Sequence, residues 1–298
     1  MLLTGADAGV DTGTCLPYDR QAMELPRLIA LDLDGTLLDS SGGIPEENRR
    51  VLAHLSSRGV LVCLASGRMT ACVSPTAARL GIDCPLIVYN GAMVRLRVVE
   101  GRRIIHHDPL PAEYAAEVIQ FCHANRFHLN VYLDDRLFCP DDPSLRRFAD
   151  LYCRQTGAVP HFVPDQRVFV GKRPTKLILI ADPSDADESR TRDALSDMFS
   201  ARFVGRVAVV RTNPEYCEFM SISANKGAAL RVLAQAYGIS REETMAFGDG
   251  DNDVELLREA GVGVAMAHAS PAARQAADCV AQWDNDDAGV GKFLSRFL

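Results

Sequence analysis

No run of this 298-residue chain comes near the roughly 18 uninterrupted apolar residues that a membrane-spanning helix requires. With 47% hydrophobic and 24% charged residues, the balance is that of a globular protein, not of a membrane or disordered one. Positive charge is also short. Lys and Arg number 32 against 39 Asp and Glu, a formal net charge of -7, and a field of that sign repels a nucleic-acid backbone while leaving room for a local phosphate site. The nine cysteines never fall at C-x-x-C spacing, and an odd, scattered set argues against a disulfide framework or a zinc knuckle. Cys63 and Cys217 read instead as small buried hydrophobes. The seven histidines show no metal-ligand spacing. The cysteine usage fits a reducing cytoplasm best, and the opening MLLTGADAGVDTGTC, which lacks the basic start and apolar run of a secretory signal, reads as a loose extension. Internal repeats and low-complexity tracts are missing too.

What is present is an alternation of strand and helix. Leu28 to Leu33 is a short apolar run suited to a strand buried on both faces. Pro45-Glu46-Glu47 opens a helix that Gly59 ends, Val60 to Ala65 is a second strand, Met69 to Leu80 a helix, and Leu86 to Tyr89 a third strand. The pattern resumes with an apolar helix before Gly238, a strand at Met245 to Gly248, a helix at Val254 to Glu259 and a strand at Val262 to Met266. The fold class is therefore α/β, a doubly wound, mostly parallel Rossmann-like sheet. Between its halves, a hairpin turning at Glu100-Gly101, helices near 111–124, 143–155 and 184–199, and a strand at Thr175 to Ala181 describe an inserted α+β domain. The expected division is an N-terminal extension over 1–25, a core over 26–92 and 217–298, and an insertion over 93–216.

Two acidic turns carry the chemistry. In LDLDGTLL, side chains at i and i+2 of an extended chain share a face, which brings Asp32 and Asp34 together at the end of the first strand. Gly35 permits a tight turn and close approach of backbone N–H groups, and Thr36 offers a hydroxyl. FGDGDNDVELL is a second strand-to-helix turn. At the switch point of a doubly wound sheet the two strands lie side by side, so Asp32 should meet Asp249. Clustering Asp32, Asp34, Asp249 and Asp253 sets like charges against one another, roughly 4 kcal/mol for a pair at about 4 Å and an effective dielectric of 20, and a cation relieves this. All-oxygen ligation favours Mg²⁺. A calcium loop is excluded, because Val254 fills its required Gly position and Ala260 its bidentate Glu position.

LASGR adds Ser66 and Gly67 on the same sheet edge, a hydroxyl and an amide suited to a phosphoryl oxygen. Arg68 reads equally as a substrate contact or a structural ion pair. Lys226, in SISANKGAAL, stands at a helix start where its ammonium would neutralise an anion. Alone, LDLDG reads equally as a solvated acidic turn and Lys226 as a solvated lysine. Together the segments describe phosphoryl transfer by a carboxylate nucleophile, a metal, a cation and hydroxyl or amide donors.

These four segments, in this order, resemble the motifs of the haloacid dehalogenase superfamily, and within it the Cof-like sugar-phosphatase group, subfamily IIB, over residues 26–298. The resemblance implies that Asp32 is the nucleophile. It implies that Asp34 is the general acid and base, oriented by Thr36, and lends its backbone carbonyl to Mg²⁺. Ser66, Gly67 and Lys226 would bind phosphate, Asp249 would ligate the metal, and Asn252 and Asp253 would hold phosphate or position Lys226 and metal waters. Residues 67–225 between Ser66 and Lys226 leave room for a cap domain of the second type. Asn90-Gly91-Ala92 resembles the family's substrate-facing NGA segment, although Asn90 also suits a plain turn. Asn285-Asp286-Asp287 and Gly289-Val290 resemble its C-terminal signature. His268 departs from the pattern, where an asparagine is expected. The implied function is a Mg²⁺-dependent phosphatase acting on a small phosphorylated metabolite, a sugar phosphate or phosphorylated cofactor, with no nucleic acid or membrane as partner. A monomer and a homodimer fit equally. A phosphomutase using the same aspartyl phosphate, and a non-catalytic ligand-sensing module, are the alternatives.

Overall fold

The computed structural model describes residues 24–96, 103–185, 187 and 190–298. Most of the N-terminal extension and the turn at Glu100-Gly101 lie outside the described residues.

Two sheets organise the chain. The larger contains β1 (Leu28–Leu31), β2 (Leu61–Ala65), β3 (Leu86–Val88), β4 (Met93–Arg95), β5 (Ile104–His107), β12 (Thr244–Gly248), β13 (Val262–Ala265) and β14 (Cys279–Val280), in the order β14-β13-β12-β1-β2-β3-β4-β5. Pairing is parallel from β14 to β3, and β4 and β5 add antiparallel strands at one edge. Strand β1 is buried on both faces, as its unbroken LIAL run requires. Ile29 and Leu31 pack in the cluster holding Val51, Leu52 and Leu55 of α1 (Glu46–Ser57), Val73 and Leu80 of α2 (Thr70–Leu80) and Phe293 of α9 (Gly289–Leu294). Leu28 and Ala30 pack on the other face with Leu230 and Leu233 of α6 (Lys226–Ala236) and Leu256 of α7 (Val254–Glu259). Helices thus cover both faces, as expected of a doubly wound sheet.

The smaller sheet runs β10 (Val207–Arg211), β11 (Tyr216–Ser221), β9 (Lys176–Ile180), β6 (His128–Leu133), β7 (Arg136–Pro140), β8 (Pro160–Val163), and only β7 and β8 pair in parallel. One face packs α3 (Ala112–Asn125) and α5 (Arg192–Arg202) through Val118, Ile119, Phe199 and Phe219. The other face carries Tyr132, Ile178 and Tyr216 with Tyr152 of α4 (Arg146–Thr156), in one cluster with Tyr89 and Met93 of the larger sheet.

Two expectations move. The insertion was expected to begin at residue 93 and end at 216, but β4 and β5 hydrogen-bond into the larger sheet and β11 runs on to Ser221 in the smaller one. By sheet membership the insertion lies between His107 and Ser221. The helix expected over 184–199 begins only at Arg192, where the Thr191 hydroxyl accepts from the Ala194 amide and caps it. Just upstream, Asp182 accepts from the amide and hydroxyl of Ser184, a local turn that competes with helix.

Candidate active site

Register places the site. Leu31 is paired with Phe247 of β12 and with Leu64 of β2, so the residues that follow each strand leave the sheet at one edge. The Asp32 amide donates to the Phe247 carbonyl at 3.1 Å, extending the ladder one residue into the acidic turn. Asp32, Asp249 and Asp253 each bring a carboxylate oxygen to within 4.8 Å of the others.

Lys226 is the first residue of α6, behind an N-cap at Asn225 whose side chain accepts from the Ala228 amide at 2.7 Å. A cation is disfavoured by the dipole at this end of a helix. Two anions compensate: the ammonium donates at 2.6 Å to Asp32 Oδ1 and at 2.6 Å to Asp253 Oδ1, with the lysine side chain fully buried. Burial works against its charge, but the attraction of Asp32 and Asp253 outweighs burial and raises its pKa above the usual lysine value. Asp32 is pushed well above the usual carboxylate range, first by burial and then by the Asp253 charge, against the pull of Lys226. Asp249 is raised as well, by burial first, with its Thr36 hydrogen bond opposing.

Asp253 has both oxygens engaged. Oδ1 takes Lys226, and Oδ2 accepts from the amides of Asp249 at 3.1 Å and Gly250 at 3.0 Å. It lies outside the wall of the adjoining cavity of about 390 Å³, which Asp32 and Asp249 line. Two cavity-facing carboxylates with oxygen donors match Mg²⁺, which usually takes one or two and fills its shell with water and phosphate.

Two expected contacts fall differently. Asp34 does not join the acidic cluster: its carboxylate pairs with Arg68, at 2.9 Å from Nε and 2.5 Å from Nη2, and its side chain is 56% exposed. Arg68 thus makes an ion pair. Alternation fails to unite Asp32 and Asp34 because β1 ends at Leu31 and the chain is already turning. Thr36, expected to orient Asp34, donates to Asp249 Oδ1 at 2.8 Å. The Asp253 carboxylate holds Lys226, one of the roles the resemblance implies for it, and also the turn. Gly35 has φ +82, and a Cβ there would collide with the Asp249 carboxylate, so glycine lets the two turns close.

Other expected residues do converge. Ser66 is buried and its Oγ accepts from the Arg68 amide at 3.2 Å. Ser66, Gly67, Asn90 and Asn252 line the cavity, and Asn252 donates to Asn90 Oδ1 at 3.2 Å. Gly91 has φ +96, and a Cβ would collide with the Asn225 carbonyl beside Lys226. Asn285 and Asp286 fasten the first motif from behind, through the Leu38 carbonyl and the amide and hydroxyl of Ser40. His268 sits with Nε2 3.7 Å from Asp249 Oδ2.

The facing wall comes from the smaller sheet and α4, including Tyr152, Gln155, Lys176, Asn213 and Glu218. Lys176 and Glu218 form a buried pair at 3.1 Å, and Lys176 also donates to the Gly67 carbonyl at 3.3 Å. Sequence reasoning does not single these residues out. The one available signal is a charge set inside an otherwise apolar strand, Lys176 in TKLILI and Glu218 in YCEFMS.

The model of the haloacid dehalogenase-like hydrolases matches residues 29–294. This chain belongs to that family, in its Cof-like group. Among its relatives, the Bacillus subtilis 5-amino-6-(5-phospho-D-ribitylamino)uracil phosphatase YitU is 30% identical over 277 residues, 92% of this chain and 98% of the relative. An Escherichia coli HMP-PP phosphatase is 30% identical over 253 residues, 84% of this chain and 87% of its own. A crystal structure from Thermotoga maritima superposes with a TM-score of 0.79 at 34% identity, covering 91% of this chain and 97% of that one. Among the described residues no helix is long and apolar enough to cross a membrane.

Proposed function

We propose that this haloacid dehalogenase-like hydrolase is a Mg²⁺-dependent phosphatase that hydrolyses a small phosphomonoester through an aspartyl phosphate on Asp32. The observation that carries this reading is the meeting of Asp32 and Asp249 on one cavity edge, with the buried Lys226 ammonium 2.6 Å behind Asp32. Asp32 and Asp249 would hold the ion, which when bound would supply charge neutralisation to the phosphoryl oxygens.

Asp32 attacks phosphorus, and the ester P–O bond breaks as the leaving oxygen takes a proton from Asp34. Water then attacks the same phosphorus, Asp34 accepts its proton, and the bond to Asp32 breaks to release phosphate. Lys226, the Ser66 hydroxyl and the Gly67 amide surround the phosphoryl oxygens. To serve as acid and base, Asp34 has to leave Arg68, and its exposure gives it room to move. The smaller sheet and α4 act as a cap that faces the leaving group. Since relatives carry the names of phosphatases of a phosphoribitylamino-uracil and of HMP-PP, the substrates to test first are phosphorylated cofactor precursors and sugar phosphates.

The test is phosphate release from a panel of such esters, with Mg²⁺ and after exhaustive chelation. Metal-dependent release of free phosphate supports the reading. Isomerised phosphoesters without free phosphate would identify a mutase. Binding without turnover would identify a sensing module.

A further inference from the structure

The β6–β7 hairpin of the smaller sheet sends one side chain into the larger one. Leu133 pairs with Arg136, so Asp134 and Asp135 form a two-residue turn, with φ of 52° and 58°. Such a turn favours glycine, above all at its second position, and an aspartate there holds a backbone that ordinary residues resist. Strain of this kind persists where surrounding structure enforces it. Here the enforcing contacts are visible. The Asp135 side chain is only 13% exposed, and its Oδ2 lies 2.8 Å from Arg95 Nη2 on β4. Its Oδ1 accepts from the Tyr89 hydroxyl at 2.9 Å and from the Thr70 amide at 3.4 Å.

Tyr89 begins a second left-handed run. Tyr89, Asn90 and Gly91 have φ of 53°, 52° and 96°, two of them non-glycine. The run is tied to the motif before it, Tyr89 amide to Arg68 carbonyl and Asn90 amide to Ser66 carbonyl, both at 3.0 Å. It sets the Asn90 side chain against Gly67, where a Cβ would lie 2.9 Å from Asn90 Oδ1, and within reach of Asn252.

We infer that Asp135 is a positioning residue: from the hairpin of the cap it grips Tyr89 and Arg95, and so holds the left-handed Tyr89–Gly91 turn that presents Asn90 to the cavity. The effect passes through backbone geometry, since Asp135 itself does not line the cavity. The kinetic part of this inference rests on the phosphatase reading, and the structural part does not.

The experiment compares Asp135→Gly, Asp135→Asn and Tyr89→Phe with the full wild-type chain by amide hydrogen exchange and by steady-state kinetics. Glycine suits the left-handed turn, so Asp135→Gly removes the grip without straining the hairpin. The Tyr89, Asn90 and Ala92 amides should then exchange at least about tenfold faster, with β2 and β6 unchanged. KM for a phosphomonoester should rise about tenfold with kcat within about threefold, because Asn90 holds substrate and not the reacting atoms. Tyr89→Phe should show the same pattern more weakly, and Asp135→Asn, which keeps an acceptor for Tyr89, should restore most of the protection. Wild-type exchange at those three amides in Asp135→Gly and Tyr89→Phe, acceleration spread over the whole chain, or an unchanged KM overturns the inference. If the wild-type protein hydrolyses no phosphomonoester, the phosphatase reading falls and the exchange data alone decide the role of Asp135.

Discussion

The Lys226 ammonium donates to Asp32 across 2.6 Å, although 194 positions separate the two in sequence. It also separates Asp32 from Asp253, two buried carboxylates that would otherwise repel. Replacing Lys226 by methionine, similar in length and uncharged, leaves both acids without their cation. Breaking a buried ion pair from one side typically costs about 3–5 kcal/mol, so Lys226→Met should lower unfolding free energy by that order. Urea titration of the two proteins at pH 7 measures it, and equal midpoints and slopes would remove the structural role claimed for the lysine.

Asp32→Asn should retain the fold, since the amide oxygen can still accept from Lys226 and the residue adds no volume. Turnover should fall by on the order of 10⁴-fold or more, as for loss of other nucleophiles. Phosphate release and circular dichroism on one preparation separate the two effects. A folded variant with wild-type turnover assigns the nucleophile elsewhere.

Divalent ion binding is testable without turnover. At Mg²⁺ near 100 times its dissociation constant the folded state gains about 2.7 kcal/mol by mass action. The melting temperature of the wild type should rise accordingly and that of Asp249→Asn should not. A rise of equal size in both proteins would locate the ion away from Asp249.

His128, which does not line the cavity, supplies a pH dependence of its own. It is fully buried beside Asn130, and burial pulls its pKa down to about 4. The unfolded value is about 6.5, so the unfolded chain takes up a proton first as pH falls. Stability from neutral His128 is therefore fully present above about pH 6.5, declines between 6.5 and 4, and stops declining below 4, a loss of about 3 kcal/mol. Wild type minus His128→Gln, by urea unfolding at pH 7 and pH 4, isolates this contribution. A difference that does not change with pH contradicts it.

Much of this architecture is written in short-range patterns. The LIAL run of β1, the Gly59 stop and the apolar helix behind Asn225 are local signals, and the doubly wound sheet follows from their alternation. The meeting of Asp32 and Asp249 was legible for the same reason, because topology alone brings the two strand ends together. Side-chain partners were not legible in this way. Strand periodicity put Asp34 beside Asp32, but the strand ends before either residue, and Arg68, 34 positions on, takes the carboxylate. Thr36 reaches Asp249 and not Asp34 for a similar reason, since Gly35 bends the turn toward the second motif. In sequence β4 and β5 resemble any hairpin, and only hydrogen bonding reveals which sheet receives them. Lys176 and Glu218 carried no recognisable spacing at all.

The sheet order has a consequence for biosynthesis. Strand β1 lies between β2 and β12, and Thr36 waits for a partner 213 positions downstream. At roughly 5–20 residues per second, a ribosome needs on the order of 10–40 s to deliver it. Through most of that interval the nascent chain carries an apolar strand edge with nothing beside it and an acidic turn without its lysine. That interval is when a chaperone has the most to shield.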